Sequence, residues 1–176
     1  MDNIILIGMP GCGKSTCGVI VAKTLCKDFC DTDLLIQKNE KMSLQELIDT
    51  KGSGYFGEAE ERAICGHVFR NCVVATGGSV VYSEKAMEHL KKNSLAVYLK
   101  ISFGTMLARI SDFESRGILL RNGETVGEMY AERQPLYEKY ADVTVDCDGV
   151  GTEKAVRMIV EAVARAGCQA SASFPE

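Results

Sequence analysis

The nine residues from Gly8 to Thr16 (GMPGCGKST) follow the apolar run Ile4, Ile5, Leu6, Ile7, and no other stretch restricts the fold of this chain so closely. They fit the spacing G-x-x-x-x-G-K-[ST], with Gly8, Gly13, Lys14 and Ser15 in register. Glycines let successive backbone N–H groups curl around phosphate oxygens, and the helix that follows adds partial positive charge at its N-terminus. The backbone of Gly11, Cys12, Gly13, Lys14, Ser15 and Thr16 is therefore the expected phosphate cradle. Lys14 is expected to reach the β and γ phosphates of ATP, and the Ser15 hydroxyl to meet Mg²⁺. A glycine-rich turn without a ligand is the alternative. The preceding strand and following helix argue against it.

The chain's 176 residues suit one domain with a real core. Its 20 basic and 24 acidic residues give a net charge of −4, which argues against a general nucleic-acid or anionic-membrane surface. No apolar run reaches the length of a membrane span. The first strand begins almost at Met1, so no signal peptide is expected, and the expectation is a cytoplasmic monomer. Eight cysteines show no C-x-x-C pair, and His67 and His89 are not spaced to join them around zinc. Most read as small buried hydrophobes. Cys12 lies inside the phosphate loop beside Lys14, where a thiol pKa tends to fall, so it is either a small residue filling space or a reactive group whose modification blocks nucleotide binding.

Residues 1–166 read as one α/β domain, followed by a small, polar, frayed tail over 167–176. Asn3 to Met9 is the pattern of a central strand covered on both faces. Val19, Ile20, Ala22 and Leu25 fall at helical spacing behind the loop. Phe29 to Asp33 reads as a short strand whose Asp31 and Asp33, two residues apart, point the same way at its carboxyl end, the ligand crevice of an open α/β sheet. A solvated loop is the alternative. Ser43 to Ile64 predicts two helices, opened by S-x-x-E and broken at Lys51-Gly52-Ser53-Gly54, the second with an acidic solvated face of Glu58, Glu60 and Glu61. Cys72 to Thr76 is a buried strand ending in Gly77-Gly78, where backbone can approach a ligand closely. Helix over Glu84 to Lys91, strand over Leu95 to Ile101 and helix over Thr105 to Ile110 follow. Residues 111–124 then lose periodicity and mix Arg116 and Arg121 with glycines, as a lid does. Helix over Val126 to Tyr140, strand over Asp142 to Val145 and helix over Glu153 to Ala166 complete an alternation that predicts a parallel sheet.

This constellation resembles the shikimate kinase family, small P-loop kinases that transfer the γ-phosphoryl of ATP to a hydroxyl of shikimate. The resemblance runs from Ile4 to about Glu161. It rests on GMPGCGKST, the D-x-D of Asp31 and Asp33, Gly52…Phe56…Glu60, ATGG, an arginine before a lid leucine, and ERQPLYEKYAD. It implies a three-layer fold with a five-stranded parallel sheet of order 2-3-1-4-5, a substrate-binding helical segment over about residues 34–62 and a lid that closes over ATP. Carried onto this chain, it gives Lys14 and Ser15 to phosphate and metal, and Asp31 to the metal through water. Asp33 binds the reacting diol and takes its proton. Arg116 meets the transferring phosphoryl and Arg109 lies against the adenine. Gly77, Gly78 and Ser79 line the acceptor, and Arg133 grips its carboxylate. Arg121 is the alternative lid arginine, and an ion pair with Glu132 or Asp142 is the alternative for Arg133.

Three departures bear on the acceptor. Where the family has Phe-Arg-x-x-Glu, this chain has Phe56-Gly57-Glu58-Ala59-Glu60, so one carboxylate-binding arginine is missing and Glu60 is left to stand unpaired. Arg62 lies about 140° around a helix and ~7.5 Å along it from Gly57, too far to take over. The family's third glycine after A-T-G-G is Ser79, and its Arg-Pro-Leu-Leu is Arg116-Gly117-Ile118-Leu119. Phosphorylation of shikimate is the leading expectation. A kinase for another hydroxylated acid, polyol or amino-bearing acceptor, and a nucleotide-binding regulatory module without activity, are the alternatives. A nucleoside monophosphate kinase fits the ERQPLY run less well.

Overall fold

The computed structural model describes residues 2–110, 119–120 and 123–172. Five strands, β1 (Asn3–Ile7), β2 (Asp28–Asp31), β3 (Cys72–Ala75), β4 (Ser94–Lys100) and β5 (Val143–Asp146), form one sheet in the order β2-β3-β1-β4-β5. All four pairings are parallel, and Ile5 of β1 lies level with Val74 on one side and Ala96 on the other. Every residue of β1 is buried, because a central parallel strand is covered on both faces by crossover helices.

Helix α1 (Lys14–Thr24) leaves the phosphate loop and packs with α7 (Thr152–Ala172), while α3 (Leu44–Cys65) packs with α4 (Glu84–Lys91). The residues of α1 that face the sheet are not the large ones. Cys17, Gly18, Val21 and Ala22 are buried, whereas Val19 and Ile20 are 50% and 41% exposed. The sheet lies too close for more bulk: a Cβ on Gly18 would come within 2.8 Å of the Phe29 ring.

The second aspartate of D-x-D does not lie on a strand. β2 ends at Asp31, which caps α2 (Thr32–Glu40) by accepting the Asp33 N–H at 3.0 Å, so Asp33 sits in the first turn of a helix. The cap turns the chain before strand alternation can align the two carboxylates.

α3 begins with a reciprocal Ser43–Glu46 capping box and breaks at Gly52 (φ 81°, ψ 167°), so the expected pair of helices is present across a kink. Ile36, Leu44, Leu47, Phe56, Ala59 and Ala63 form a small separate core between α2 and α3. It carries the segment facing the loop.

A single 3₁₀ turn (Val80–Tyr82), α5 (Phe103–Arg109) and α6 (Val126–Tyr140) complete the described elements. The last helix continues to Ala172 instead of fraying after Ala166, as a run rich in alanine allows. Among the described residues no helix is long and apolar enough to cross a membrane.

Candidate active site

The phosphate loop is shaped by glycines where other residues would not fit. Gly8, Gly11 and Gly13 have φ of 145°, 76° and 97°, and a Cβ on Gly8 would stand 2.7 Å from the Leu99 carbonyl oxygen. Gly13, left-handed, is the N-cap of α1 and supplies no side-chain cap, so the first N–H groups of the helix face the cavity. Lys14 is 92% buried and donates to the carbonyls of Gly8 (2.7 Å) and Met9 (2.9 Å), with Cys12 Sγ at 3.6 Å. An ammonium has three protons, so the weak sulfur contact is the one a phosphate oxygen can replace. Cys12 is 2% exposed beneath the loop, its N–H held by the Met9 carbonyl, which shields the thiol from reagents in solution.

One cavity of about 300 Å³ runs from this loop across the carboxyl ends of the strands. On the loop side Gly11, Gly13, Lys14, Ser15, Thr16 and Arg109 line it; on the far side Asp33, Phe56, Gly77, Gly78, Ser79 and Arg133 do. Arg109 is fixed by the carbonyls of Cys147 (3.4 Å) and Val150 (3.1 Å). Asp31 caps α2 and does not line the cavity. Arg116 and Arg121 lie outside the described residues. Leu119, at the lid's edge, lines the cavity and accepts from Arg133 Nη2.

The far side is built from four elements. Gly77 donates its N–H to Thr32 Oγ1 at 3.0 Å, and the Gly78 carbonyl accepts from the Tyr137 hydroxyl at 2.6 Å. A Cβ on Gly77 would fall 2.5 Å from Glu60 Oε1 and 2.9 Å from Asp33 Oδ1, so only glycine lets both carboxyls close over this turn. Burial first, then the neighbouring Asp31 charge, pushes Asp33 up to about 6, against the pull of Lys14.

Arg133 is 1% exposed, donates through Nε to the Tyr82 hydroxyl at 3.3 Å and lies over the Tyr82 ring at 5.2 Å. Its alternative partner Asp142 is occupied by Lys91 Nζ and the Ala96 N–H, both at 2.8 Å. Sequence reasoning misses Thr32 and Tyr82, and gives Tyr137 no role at the site. Tyr137 lies in the ERQPLY run, but nothing local marks Thr32 or Tyr82.

The expected acidic face divides. Glu58 faces solvent, Glu61 is held by Lys85 and Ser83, and Glu60 is 2% exposed. Glu60 Oε2 accepts from Ser79 Oγ at 2.8 Å, and among the described residues Oε1 has no hydrogen-bond partner. Among the described residues, no atom beyond the adjoining residues and the local helix backbone lies within 4 Å of where a Cβ on Gly57 would stand. Arg62 borders that space without filling it: it is half exposed and pairs with Glu40 (3.4 Å) and Glu58 (3.5 Å).

The family model for shikimate kinase matches residues 10–164 of this chain. The chain belongs to the shikimate kinase family. A shikimate kinase of Caldanaerobacter subterraneus is 36% identical over 169 residues, covering 94% of this chain and 96% of its own length. One from Sulfurihydrogenibium is 33% identical over 166 residues, covering 94% and 99%. Among solved structures, the Acinetobacter baumannii shikimate kinase in complex with shikimate superposes with a TM-score of 0.84 at 24% identity, covering 94% of each chain. That of Aquifex aeolicus does so with 0.77 at 29% identity, covering 92% and 96%. Sheet order and three-layer architecture agree with these shikimate kinases.

Proposed function

We propose that this protein transfers the γ-phosphoryl group of ATP to a hydroxyl of shikimate. The observation that carries this reading is the single cavity in which the phosphate loop, Asp33, the Gly77-Gly78 turn and buried Arg133 all meet. Phosphoryl transfer needs positioning and charge neutralisation more than covalent help. The open N–H groups at the start of α1 and the Lys14 ammonium take the phosphates. Arg109 borders the adenine side, and Arg133 takes the acceptor's carboxylate. Asp33, titrating near 6, is mostly ionised at neutral pH and can accept the hydroxyl proton as the oxygen attacks phosphorus. Arg116 of the lid is assigned to the transferring phosphoryl, with Arg121 as the other arginine in reach of that role by sequence.

For Mg²⁺ the donor set fits. Ser15 is exposed in the first turn of α1 beside the cavity, and Asp31 uses Oδ1 as a cap, which leaves Oδ2 for a water-mediated contact. Among the described residues no group of three or more His, Cys, Asp or Glu side chains could hold a metal. A hard cation that takes most of its ligands from phosphate and water suits such a place. Ser15, and Asp31 through water, would hold Mg²⁺ there, and the ion would supply charge neutralisation at the phosphate oxygens. Since one chain builds the whole cavity, action as a monomer in the cytoplasm, without nucleic acid or membrane, accompanies this proposal.

A second reading rests on the space at Gly57, which opens a further cavity of about 440 Å³ bordered by Glu58, Glu60, Glu61, Arg62, Ser79 and Tyr82, three acids against one arginine. It favours an acceptor larger or less anionic than shikimate. ADP release with MgATP, in parallel with shikimate, polyols, hydroxy acids and amino acids, decides. Shikimate-dependent turnover supports the first reading, turnover only with another compound the second. Nucleotide binding without turnover supports a regulatory module instead.

A further inference from the structure

Glu60 is an ionisable group that the mechanism above does not use. Its carboxyl is buried against the Gly77-Gly78-Ser79 turn, where it accepts from the hydroxyl of Ser79, which lines the acceptor cavity. Among the described residues Oε1 has no hydrogen-bond partner. No cation on its own helix compensates it, because residue 57 is glycine and Arg62 is turned outward to Glu40 and Glu58. Among the described residues the charged groups around this turn come from other elements: Asp33 Oδ1 stands with Glu60 Oε1 against Gly77, Arg133 Nη1 stands against the adjacent Gly78, and the Lys14 charge of α1 also acts on Glu60. Lys14 is already bonded to its own loop. Among the described residues Arg133 is thus the cation whose charge Glu60 and an incoming acceptor carboxylate would both draw on.

We propose that Glu60 sets the acceptor specificity of this enzyme: neutral, it leaves Arg133 to the acceptor's carboxylate, and ionised, it competes with that carboxylate for the same guanidinium. Ser79 tunes the balance, since its hydroxyl donates to Oε2 and so favours the ionised form. The inference rests on the proposed use of Arg133 as the carboxylate site. Glu60 touches no reacting atom and acts only through Arg133, as a positioning residue. Burial pushes it up to about 7, which brings the competition into the working range of pH.

The acceptor KM, the MgATP KM and kcat are measured from pH 6 to pH 9 for the natural protein, Glu60→Gln and Ser79→Ala. The shikimate KM is expected to rise about tenfold across that range, as follows when a bound carboxylate moves a neighbouring acid by about one pKa unit. The MgATP KM is expected to show no such step. Glu60→Gln, isosteric and neutral throughout, flattens the profile, and Ser79→Ala moves its inflection to higher pH. A merely structural Glu60 would move none of these curves selectively. A flat acceptor KM in the natural protein, or a slope that persists in Glu60→Gln, overturns the proposal. Binding of cyclohexanecarboxylate by calorimetry, over the same pH range and in the same proteins, separates it from the proposed function. If shikimate is not turned over at any pH, the reading of the substrate fails. Weakening of the probe with pH in the natural protein but not in Glu60→Gln still supports the role of Glu60. Probe binding that is flat with pH, or absent, overturns it.

Discussion

Lys14 holds its own loop together as well as facing the phosphates. Lys14→Ala removes two charged hydrogen bonds to the Gly8 and Met9 carbonyls, so it should lower the melting temperature by a few degrees and cut turnover at least a hundredfold. Near-normal turnover by ADP release would take the phosphate loop out of the mechanism. At Gly57 the expected change runs the other way. A charge-assisted hydrogen bond is worth roughly 1.5 to 3 kcal/mol, so Gly57→Arg, entering open space, should lower the shikimate KM tenfold or more. An unchanged KM would mean that the arginine does not reach the acceptor. The role of Lys14 can be proposed from motif spacing, and those of Asp33 and Arg133 from the family resemblance carried onto matching positions. Burial of Glu60 beside exposed Glu58 could not be read there, since three acids in one helical turn look alike until a partner surface covers one of them.

Among the elements, local chemistry sets boundaries and tertiary packing decides what each face touches. The capping boxes Ser43–Glu46 and Thr125–Glu128 mark the starts of α3 and α6, and the first is visible as S-x-x-E. Asp33 reads as a strand residue in the sequence but lies in the first turn of α2, because the spelling D-x-D does not show that Asp31 caps a helix. α1 shows the opposite failure: its periodic Val19 and Ile20 face out, since only Gly18 lets the helix approach Phe29. The break in α3 gives a test. Gly52 has backbone angles that only glycine adopts at ease, so Gly52→Ala should cost about 1 to 3 kcal/mol in urea unfolding although its Cβ meets no atom. A cost near zero would show that the two halves of α3 can straighten or shift without penalty.

For the molecule as a whole, the two buried acids govern how stability depends on pH. Folded, Asp33 keeps its proton to about pH 6 and Glu60 to about pH 7, whereas the unfolded chain releases them near 3.8 and 4.5. Between those limits the folded state binds more protons, so stability falls as pH rises from about 4 to 7. Glu40, Glu46, Glu61, Glu128 and Asp148, each held low by hydrogen bonds, act oppositely and lose their contribution as pH falls through the acid range. Urea unfolding of the ligand-free protein should therefore show greater stability at pH 5 than at pH 7.5, with a smaller difference in Glu60→Gln. The reverse order would contradict burial of the two protons. The sequence by itself determined the strand order's parallel class, the phosphate loop and the family, because these rest on periodicity and fixed spacing along the chain. Only the tertiary structure decided which acid is buried, that Ser79 is its partner, and that Arg133 is braced by Tyr82 and Leu119. Those facts depend on groups 14 to 51 residues apart meeting in space, and no local pattern encodes such a meeting.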